Sequence, residues 1–347
     1  MRWEPLYEVT QMKGDSETHP FLSPDDAFAD FETWDKANLA MLEAHKDEYY
    51  PTEYARSALQ LGMQQENKLA ANPFKFGMIG STDSHTGFAQ VAEDNFFGTY
   101  GNSFPSKDRW KHQWPPVKGT VAKMNGWEAQ SAGLAAVWAK ENTREALWDA
   151  MKRKEVYATT GPRMQVRMFG GFNYNKNDAL RHDVAAIGYA KGVPMGGDLK
   201  KAPKGKAPTF LVAALKDPIG ANLDRIQIVK GWLDSKGKTQ EKVYDVVWGD
   251  ADKRKPNKKG KLPAVGSTVD VANASWTNTI GDPELITVWK DPDFDAKQSA
   301  FYYARVLEIP TPRWTAYDAK RFGVKPLKGT TMTLQERAYT SPIWYTP

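Results

Sequence analysis

Short apolar runs separated by turn residues fill the second half of the sequence. From residue 163 onward, we predict strands at 165–169, 209–214, 225–230, 242–248, 268–271, 285–289, 301–309 and 343–345. Turn residues such as Asp217 and Pro218 separate these runs. Several short strands at this spacing are typical of two packed antiparallel sheets. The sequence therefore predicts a β-sandwich-like domain over residues 163–347.

The first 162 residues combine helix and strand signals. We predict strands at 6–10 and 76–81, and helices over 23–45, 52–70 and 142–154, while residues 94–128 are expected to form a long surface excursion. A strand–helix–strand order indicates parallel strands. We therefore expect an α/β plus all-β protein, with the α/β part in residues 1–162.

The α/β part has few strands for a parallel sheet. Only two convincing strands precede Asp83, whereas parallel sheets need covered faces and no long bare edge. We therefore expect this region to be the last portion of a larger α/β unit. Its exposed sheet edge would promote self-association.

Charge and composition exclude several classes of protein. The net charge is +5, but residues 253–261 hold six basic side chains, and without them 41 basic residues face 42 acidic ones. This Pro- and Gly-interrupted run is typical of a solvated loop, so we expect no nucleic-acid partner. No apolar stretch reaches the roughly 18 residues of a membrane span. The absence of cysteine excludes disulfides and thiolate metal sites.

Asp83 and His85 are the strongest candidates for chemistry. They follow the apolar strand 76–81, two residues apart, which places both side chains on the same side of an extended backbone. The carboxyl end of a strand is where α/β enzymes place their sites. Carboxylate and imidazole together suit Zn, Mn or Fe. By spacing alone, a structural hydrogen-bonded pair is the alternative.

Other residues are predicted near the same rim. Glu8 ends the preceding strand. It is predicted to be either a metal ligand or a residue that orients a metal ligand. Glu17 and His19 are two residues apart and could complete a metal site, or could belong to a solvated loop. Lys13 and Arg163 could hold an anionic substrate, although Arg163 could equally pair with a structural carboxylate. No functional role is expected for the remaining histidines, His45, His112 and His182.

Longer strings add a family resemblance. Residues 80–87 resemble the last metal motif of the polymerase and histidinol phosphatase (PHP) superfamily, in which an Asp-x-His binds a metal cluster. The chain resembles most strongly the domain-of-unknown-function 3604 family. The matching strings are residues 7–15, 76–85, 93–98, 136–139, 142–161, 192–198, 218–232, 301–314 and 341–345.

This resemblance implies a metal-dependent hydrolase of small-molecule esters or phosphoesters. The catalytic residues would be Asp83, His85 and Glu8, and residues 1–162 would be the final part of a PHP-like (β/α) barrel. The superfamily's first His-x-His motif is missing, because no two of the five histidines are two residues apart. The resemblance therefore implies that this chain is the C-terminal part of a longer periplasmic or secreted protein, which would bind two or three divalent metal ions. This chain would then hold only part of that metal site. The alternative is a non-catalytic binding or interaction fragment that works through its β domain.

Overall fold

The computed structural model describes residues 3–114, 119–258 and 260–347. Residues 115–118 of the predicted surface excursion and Lys259 of the basic segment lie outside the described residues. The strands are β1 (Leu6–Gln11), β2 (Gly14–Asp15), β3 (Gly77–Gly80), β4 (Gln113–Trp114), β5 (Met124–Asn125), β6 (Leu134–Val137), β7 (Val156–Thr159), β8 (Gln165–Gly171), β9 (Gly192–Pro194), β10 (Asp198–Lys200), β11 (Thr209–Leu215), β12 (Leu223–Leu233), β13 (Thr239–Trp248), β14 (Glu284–Lys290), β15 (Ala300–Glu308), β16 (Thr311–Pro312), β17 (Thr333–Leu334), β18 (Arg337–Thr340) and β19 (Ile343–Thr346). The α-helices are α1 (Tyr50–Glu53), α2 (Ala55–Leu69), α3 (Arg144–Lys152), α4 (Val184–Lys191) and α5 (Trp314–Phe322). Short 3-10 segments lie at Glu93–Asn95, Gly101–Ser103, Arg109–Lys111, Gly126–Ala129 and Lys176–Leu180.

Most strands belong to one of three sheets. The N-terminal sheet has the order β2-β1-β3. The large sheet has the order β10-β19-β15-β18-β7-β6, with β12 paired to β15 and β13 paired to β12. The small sheet has the order β14-β11-β8-β9.

The large sheet is the middle of three layers. Along β15, Tyr302 and Ala304 pack into the core shared with the small sheet. The alternate residues Phe301 and Tyr303 pack into the core shared with α2 and the N-terminal sheet. Side chains alternate between the two faces of a strand, so a strand covered on both faces is apolar throughout. This explains why β15 is buried along its whole length.

Helix α2 covers the outer core because its apolar residues repeat at helical spacing. Ala55, Leu59 and Met63 are four residues apart and all lie in that core. The helix begins after the extended residue Tyr54 and ends at Leu69, where Ala70 adopts a left-handed conformation. It is therefore shorter than the predicted helix over 52–70.

The N-terminal sheet is held closely against its neighbours. A Cβ atom at Gly80 would lie 2.9 Å from the Leu134 backbone nitrogen, so only glycine fits this approach. On β3, the Met78 amide donates to Ser341 Oγ at 3.0 Å. Ser341 Oγ in turn donates to the Val156 carbonyl at 2.7 Å. A C-terminal residue thus contacts the strand edge that was expected to be exposed.

The predicted helix over residues 23–45 is wrong. The described segment consists of turns and bends with an isolated β-bridge, and α1 begins only at Tyr50. Glu32 and Met41 have φ angles of 47° and 57°, which a right-handed helix excludes. Asp26 points into the protein, where its carboxylate accepts from Arg56 at 2.8 Å and anchors the segment. The strand predicted at 268–271 is also absent from the described residues; an isolated bridge between Asp270 and Ser275 lies there instead.

The predicted fold class, with the final part of a PHP-like (β/α) barrel, is wrong. The described chain is mostly β, and helices account for 18% of it. It shows no such barrel. Strands β6 and β7 flank α3 but pair antiparallel, so this helix does not connect two parallel strands. Strand β7 also pairs antiparallel with β18, which draws both strands into the large sheet across the predicted boundary at residue 162. No described helix has the length and apolar character to cross a membrane.

Candidate functional site

The candidate site lies where the parallel strands β1 and β3 leave the N-terminal sheet. In their register Glu8 faces Ile79, and Thr10 faces Gly80 after an irregularity in β1. The Ser81 amide continues the pairing by donating to the Thr10 carbonyl at 3.0 Å. The Ser81 hydroxyl donates to the Glu8 carboxylate. The two strands therefore bring Glu8 close to the segment that carries Asp83 and His85, as predicted from their order.

Asp83 lies in a backbone conformation that is costly for most residues. Its φ angle is 46°, in the left-handed region, which aspartate tolerates better than most side chains. Its amide donates to Ser81 Oγ at 3.2 Å. Its carboxylate Oδ2 forms an ion pair with Lys13 Nζ, and both side chains are about one quarter exposed. Backbone strain of this kind is concentrated at functional sites.

The imidazole of His85 is oriented by its own turn. Nδ1 lies 2.9 Å from the Asp83 carbonyl oxygen, and because a carbonyl only accepts, Nδ1 carries the hydrogen. In the neutral ring, Nε2 then holds the free lone pair. The His85 amide donates to the Thr99 carbonyl at 2.9 Å, and the ring lies 4.6 Å from that of Tyr100. The His85 side chain remains exposed.

A cleft of about 340 Å³ adjoins this rim. Glu8, Lys13 and Asp15 contribute its polar wall, and Trp34 is part of its apolar wall. Asp15 is only 6% exposed, and within the described residues its Oδ2 has no hydrogen-bond partner. Burial, together with the charge of Glu17, raises the pKa of Asp15 to about 7. This carboxyl can therefore exchange a proton near neutral pH.

Two further residues of this cleft, Asp15 and His45, carry no functional prediction from the sequence. Asp15 attracted no specific prediction because its burial depends on the tertiary structure. His45, which was expected to have no functional role, also lines the cleft. Its Nε2 lies 2.6 Å from Glu53 Oε2. No pattern in the sequence distinguishes either from a surface residue.

Glu17 lies in a buried ion-pair network rather than in the cleft. Its carboxylate accepts from Arg56 Nε at 3.0 Å and from Arg305 Nη1 at 3.1 Å, and Tyr303 donates to it as well. Both arginines and Glu17 are at most 1% exposed. The two guanidinium groups therefore balance the Glu17 charge inside the protein.

His19 and Arg163 also contact residues other than those around Asp83. The His19 ring stacks on Tyr50 with centroids 4.2 Å apart, and its Nε2 is 3.3 Å from Asp35. Arg163 is exposed and lines a different cavity, where its backbone amide donates to Asp217 at 2.7 Å. The structure thus brings together Glu8, Lys13, Asp83 and His85, and places Glu17, His19 and Arg163 elsewhere.

The donor atoms at the rim suit a divalent metal ion, but they do not form a complete site. Oxygen and imidazole nitrogen donors are the ligands of Zn, Mn and Fe. Across residues 3–114, 119–258 and 260–347, no three His, Asp or Glu side chains are grouped to hold a metal. The rim therefore carries one carboxylate, Asp83, and one imidazole, His85, with Glu8 bound to Ser81 beside them.

The comparisons with known proteins give one match. No curated protein and no solved structure matches the chain. The sequence profile described as "Protein of unknown function (DUF3604)" matches residues 1–347, the whole chain. The chain therefore belongs to the domain-of-unknown-function 3604 family.

Proposed function

We propose that this chain acts in metal-dependent hydrolysis of ester or phosphoester bonds, with Asp83 and His85 as ligands of a divalent Zn, Mn or Fe ion. One observation carries the proposal: His85 Nδ1 is bound to the Asp83 carbonyl at 2.9 Å. Metal-binding histidines commonly donate their second ring nitrogen to a carbonyl or carboxylate, which fixes the tautomer and leaves the other nitrogen free. The likeness of residues 80–87 to the last metal motif of the PHP superfamily supports the same assignment.

The pair needs further ligands to hold a metal ion. Water or substrate would fill the other positions, because no third His, Asp or Glu is grouped with the pair among the described side chains. A bound ion would act as a Lewis acid and would lower the pKa of a coordinated water.

The residues of the cleft have separate tasks in this proposal. Lys13, at the junction of the cleft and Asp83, supplies positive charge for the anionic group of a phosphoester. Asp15, whose pKa is raised by burial to about 7, accepts or donates a proton at neutral pH. Glu8 is held by Ser81 and orients the segment that leads to Asp83.

A metal titration tests the proposal. Calorimetry and elemental analysis with Zn²⁺ and Mn²⁺ are expected to show binding to the unaltered chain, and at least tenfold weaker binding to Asp83→Asn and to His85→Ala. His182→Ala, which removes an exposed imidazole, is the matched control and is expected to bind as the unaltered chain does. Absence of binding to the unaltered chain, or equal binding to all variants, would overturn the assignment.

Activity is then measured on metal-loaded protein. p-Nitrophenyl acetate tests for an esterase, and bis(p-nitrophenyl) phosphate tests for a phosphodiesterase. Asp15→Asn is expected to remove the limb near pH 7 from the pH–rate profile while leaving metal affinity unchanged.

A binding module without catalysis is the second candidate. One observation favours it: Lys13 already neutralises the carboxylate of Asp83. Normal folding without metal, together with no hydrolysis of either ester after metal loading, would favour this candidate over the hydrolase.

A further inference from the structure

A second cavity, of about 550 Å³, lies apart from the rim of Asp83 and His85. The turn after β7, the end of β15 and helix α5 all contribute to its wall, and Arg163 lies among its lining residues. Among the described residues, five carboxylic acids and this one guanidinium line it. The protein as a whole carries a net charge of +5, whereas the ionisable side chains that line this cavity are mostly acidic. We name it the acidic cavity.

Two of these acids are deeply buried and adjacent. Glu308 and Glu336 are 1% and 4% exposed. They are held side by side because the Glu308 amide donates to the Glu336 carbonyl at 2.9 Å. Glu336 accepts a hydrogen bond from Thr160. Glu308 Oε1, in contrast, has no hydrogen-bond partner within the described part of the chain. An unpaired buried carboxyl oxygen costs free energy, unless a ligand completes its bonding.

A third buried acid lies in the same cavity. Glu93 also lines the acidic cavity and accepts from the Trp314 amide. Burial raises the pKa of Glu93 to about 7, although the charge of Arg313 opposes the rise. Burial, and then the charge of Glu93, raises the pKa of Glu336 well above its usual range. Burial is also the main cause of the raised pKa of Glu308, with a further contribution from Asp217.

The charged groups facing these acids do not neutralise all three. Arg313 and Arg109 face Glu93, and Lys216 faces Glu308. Lys216 is itself bound to the Gly220 carbonyl at 2.8 Å. Each acid therefore opposes the ionisation of its neighbours, and a cation that enters the acidic cavity would favour their ionised forms.

The size and walls of the cavity select the kind of cation. No three carboxylates of the described chain are close enough to hold one metal ion. A volume of about 550 Å³ suits an organic molecule rather than a bare ion. Trp276 and Tyr317 line the same space, and aromatic rings attract organic cations.

We propose that the acidic cavity binds an organic amine, whose ammonium group donates hydrogen bonds to Glu308 and Glu336 and whose carbon chain packs against Trp276 and Tyr317. This site is independent of the proposed hydrolase function. It uses none of the residues at the rim of Asp83 and His85.

Calorimetry with small probes in the presence of EDTA tests the proposal. Putrescine is the probe, 1,4-butanediol is the neutral control of similar length, and succinate is the anionic control. We expect one putrescine per chain and no binding of the other two compounds. The apparent enthalpy is expected to vary with the ionisation enthalpy of the buffer, because the ammonium group displaces protons from the buried acids. A structural role for these acids would not produce this proton release.

Variants locate the binding. Glu308→Gln keeps the shape of the side chain and is expected to weaken putrescine binding at least tenfold. Glu336→Gln and Trp276→Leu are the second and third variants, and thermal unfolding shows which of them fold. Glu48→Gln changes an exposed acid and is expected to have no effect.

Three outcomes would overturn the proposal. They are equal binding of putrescine and butanediol, undiminished putrescine binding by folded Glu308→Gln, and no putrescine binding at millimolar concentration. None of them bears on the metal titration, because the probes are measured without metal.

Discussion

Lys13 and Asp83 are 70 residues apart in the sequence and form an ion pair at the rim of the N-terminal sheet. Lys13 also lies 3.3 Å from Gln11 Oε1, which orients its ammonium group. Because both partners are about one quarter exposed, the pair contributes roughly 1 kcal/mol or less to folding. Its main consequence is chemical, since Lys13 occupies one carboxylate oxygen of the proposed metal ligand.

Removing Lys13 is expected to strengthen metal binding. In Lys13→Met, Asp83 Oδ2 becomes free, so the affinity for Zn²⁺ should rise several-fold while the free energy of unfolding changes by less than about 1 kcal/mol. Calorimetric titration and urea denaturation measure the two quantities. Lys46→Met, which alters an exposed lysine, is the control. A weaker affinity in Lys13→Met would contradict the role of Asp83 as a ligand.

The left-handed conformation of Asp83 gives a prediction that separates folding from function. Glycine adopts a φ angle of 46° without the steric cost that alanine bears. Asp83→Gly is therefore expected to be more stable than Asp83→Ala by about 1 kcal/mol, although neither should bind metal. Urea denaturation compares the two variants directly. Equal stabilities would show that this backbone conformation is not maintained in solution.

The buried carboxyl of Asp15 makes folding depend on pH. Its pKa is raised by burial to about 7 in the folded protein, from 3.8 for an unperturbed aspartate. Between these values the folded state holds a proton that the unfolded chain has lost. The free energy of unfolding should therefore fall as pH rises from about 4 to 7, by up to about 1.4 kcal/mol per unit. The contribution is constant at higher pH.

Asp15→Asn is expected to reduce this slope. Glu93 titrates in the same range and direction, so the informative quantity is the difference between the variant and the unaltered chain. Urea denaturation at several pH values from 5 to about 8 measures it, with the exposed Asp25→Asn as control. A difference that does not change with pH would mean that Asp15 is ionised throughout.

The strands of the second half could be predicted because their signals are local. The predicted strand at 209–214 is observed as Thr209–Leu215, and the one at 285–289 as Glu284–Lys290. Their pairing could not be predicted in the same way. Strand β7 joins β18, about 180 residues later, through contacts such as Ala158 with Tyr339. Such pairings depend on the packing of the whole chain, although β1 and β3 do pair in parallel as expected.

The part of the candidate site that depends on strand order could be predicted from the sequence. The carboxyl ends of two parallel strands meet, so Glu8 and the segment of Asp83 were expected to be close. The separation of Asp15 from Glu17 was not predictable. The Glu17 amide donates to Asp15 Oδ1 at 2.8 Å, which forms a tight turn. The turn leaves Asp15 at the cleft and directs Glu17 into the protein.

Substitution of the buried Glu17 is expected to cause the largest loss of stability among these variants. Its carboxylate balances Arg56 and Arg305, whose guanidinium groups are almost completely buried. Glu17→Gln would leave Asp26 and the part-exposed Glu241 to pair with the two buried guanidinium groups. Removing one partner of a buried ion pair typically costs about 3–5 kcal/mol. Urea denaturation is expected to show this loss, whereas Glu48→Gln at the surface should change the free energy of unfolding by less than about 0.5 kcal/mol. A Glu17→Gln protein of normal stability with impaired metal binding would instead support the metal-ligand role that the sequence suggested for this residue.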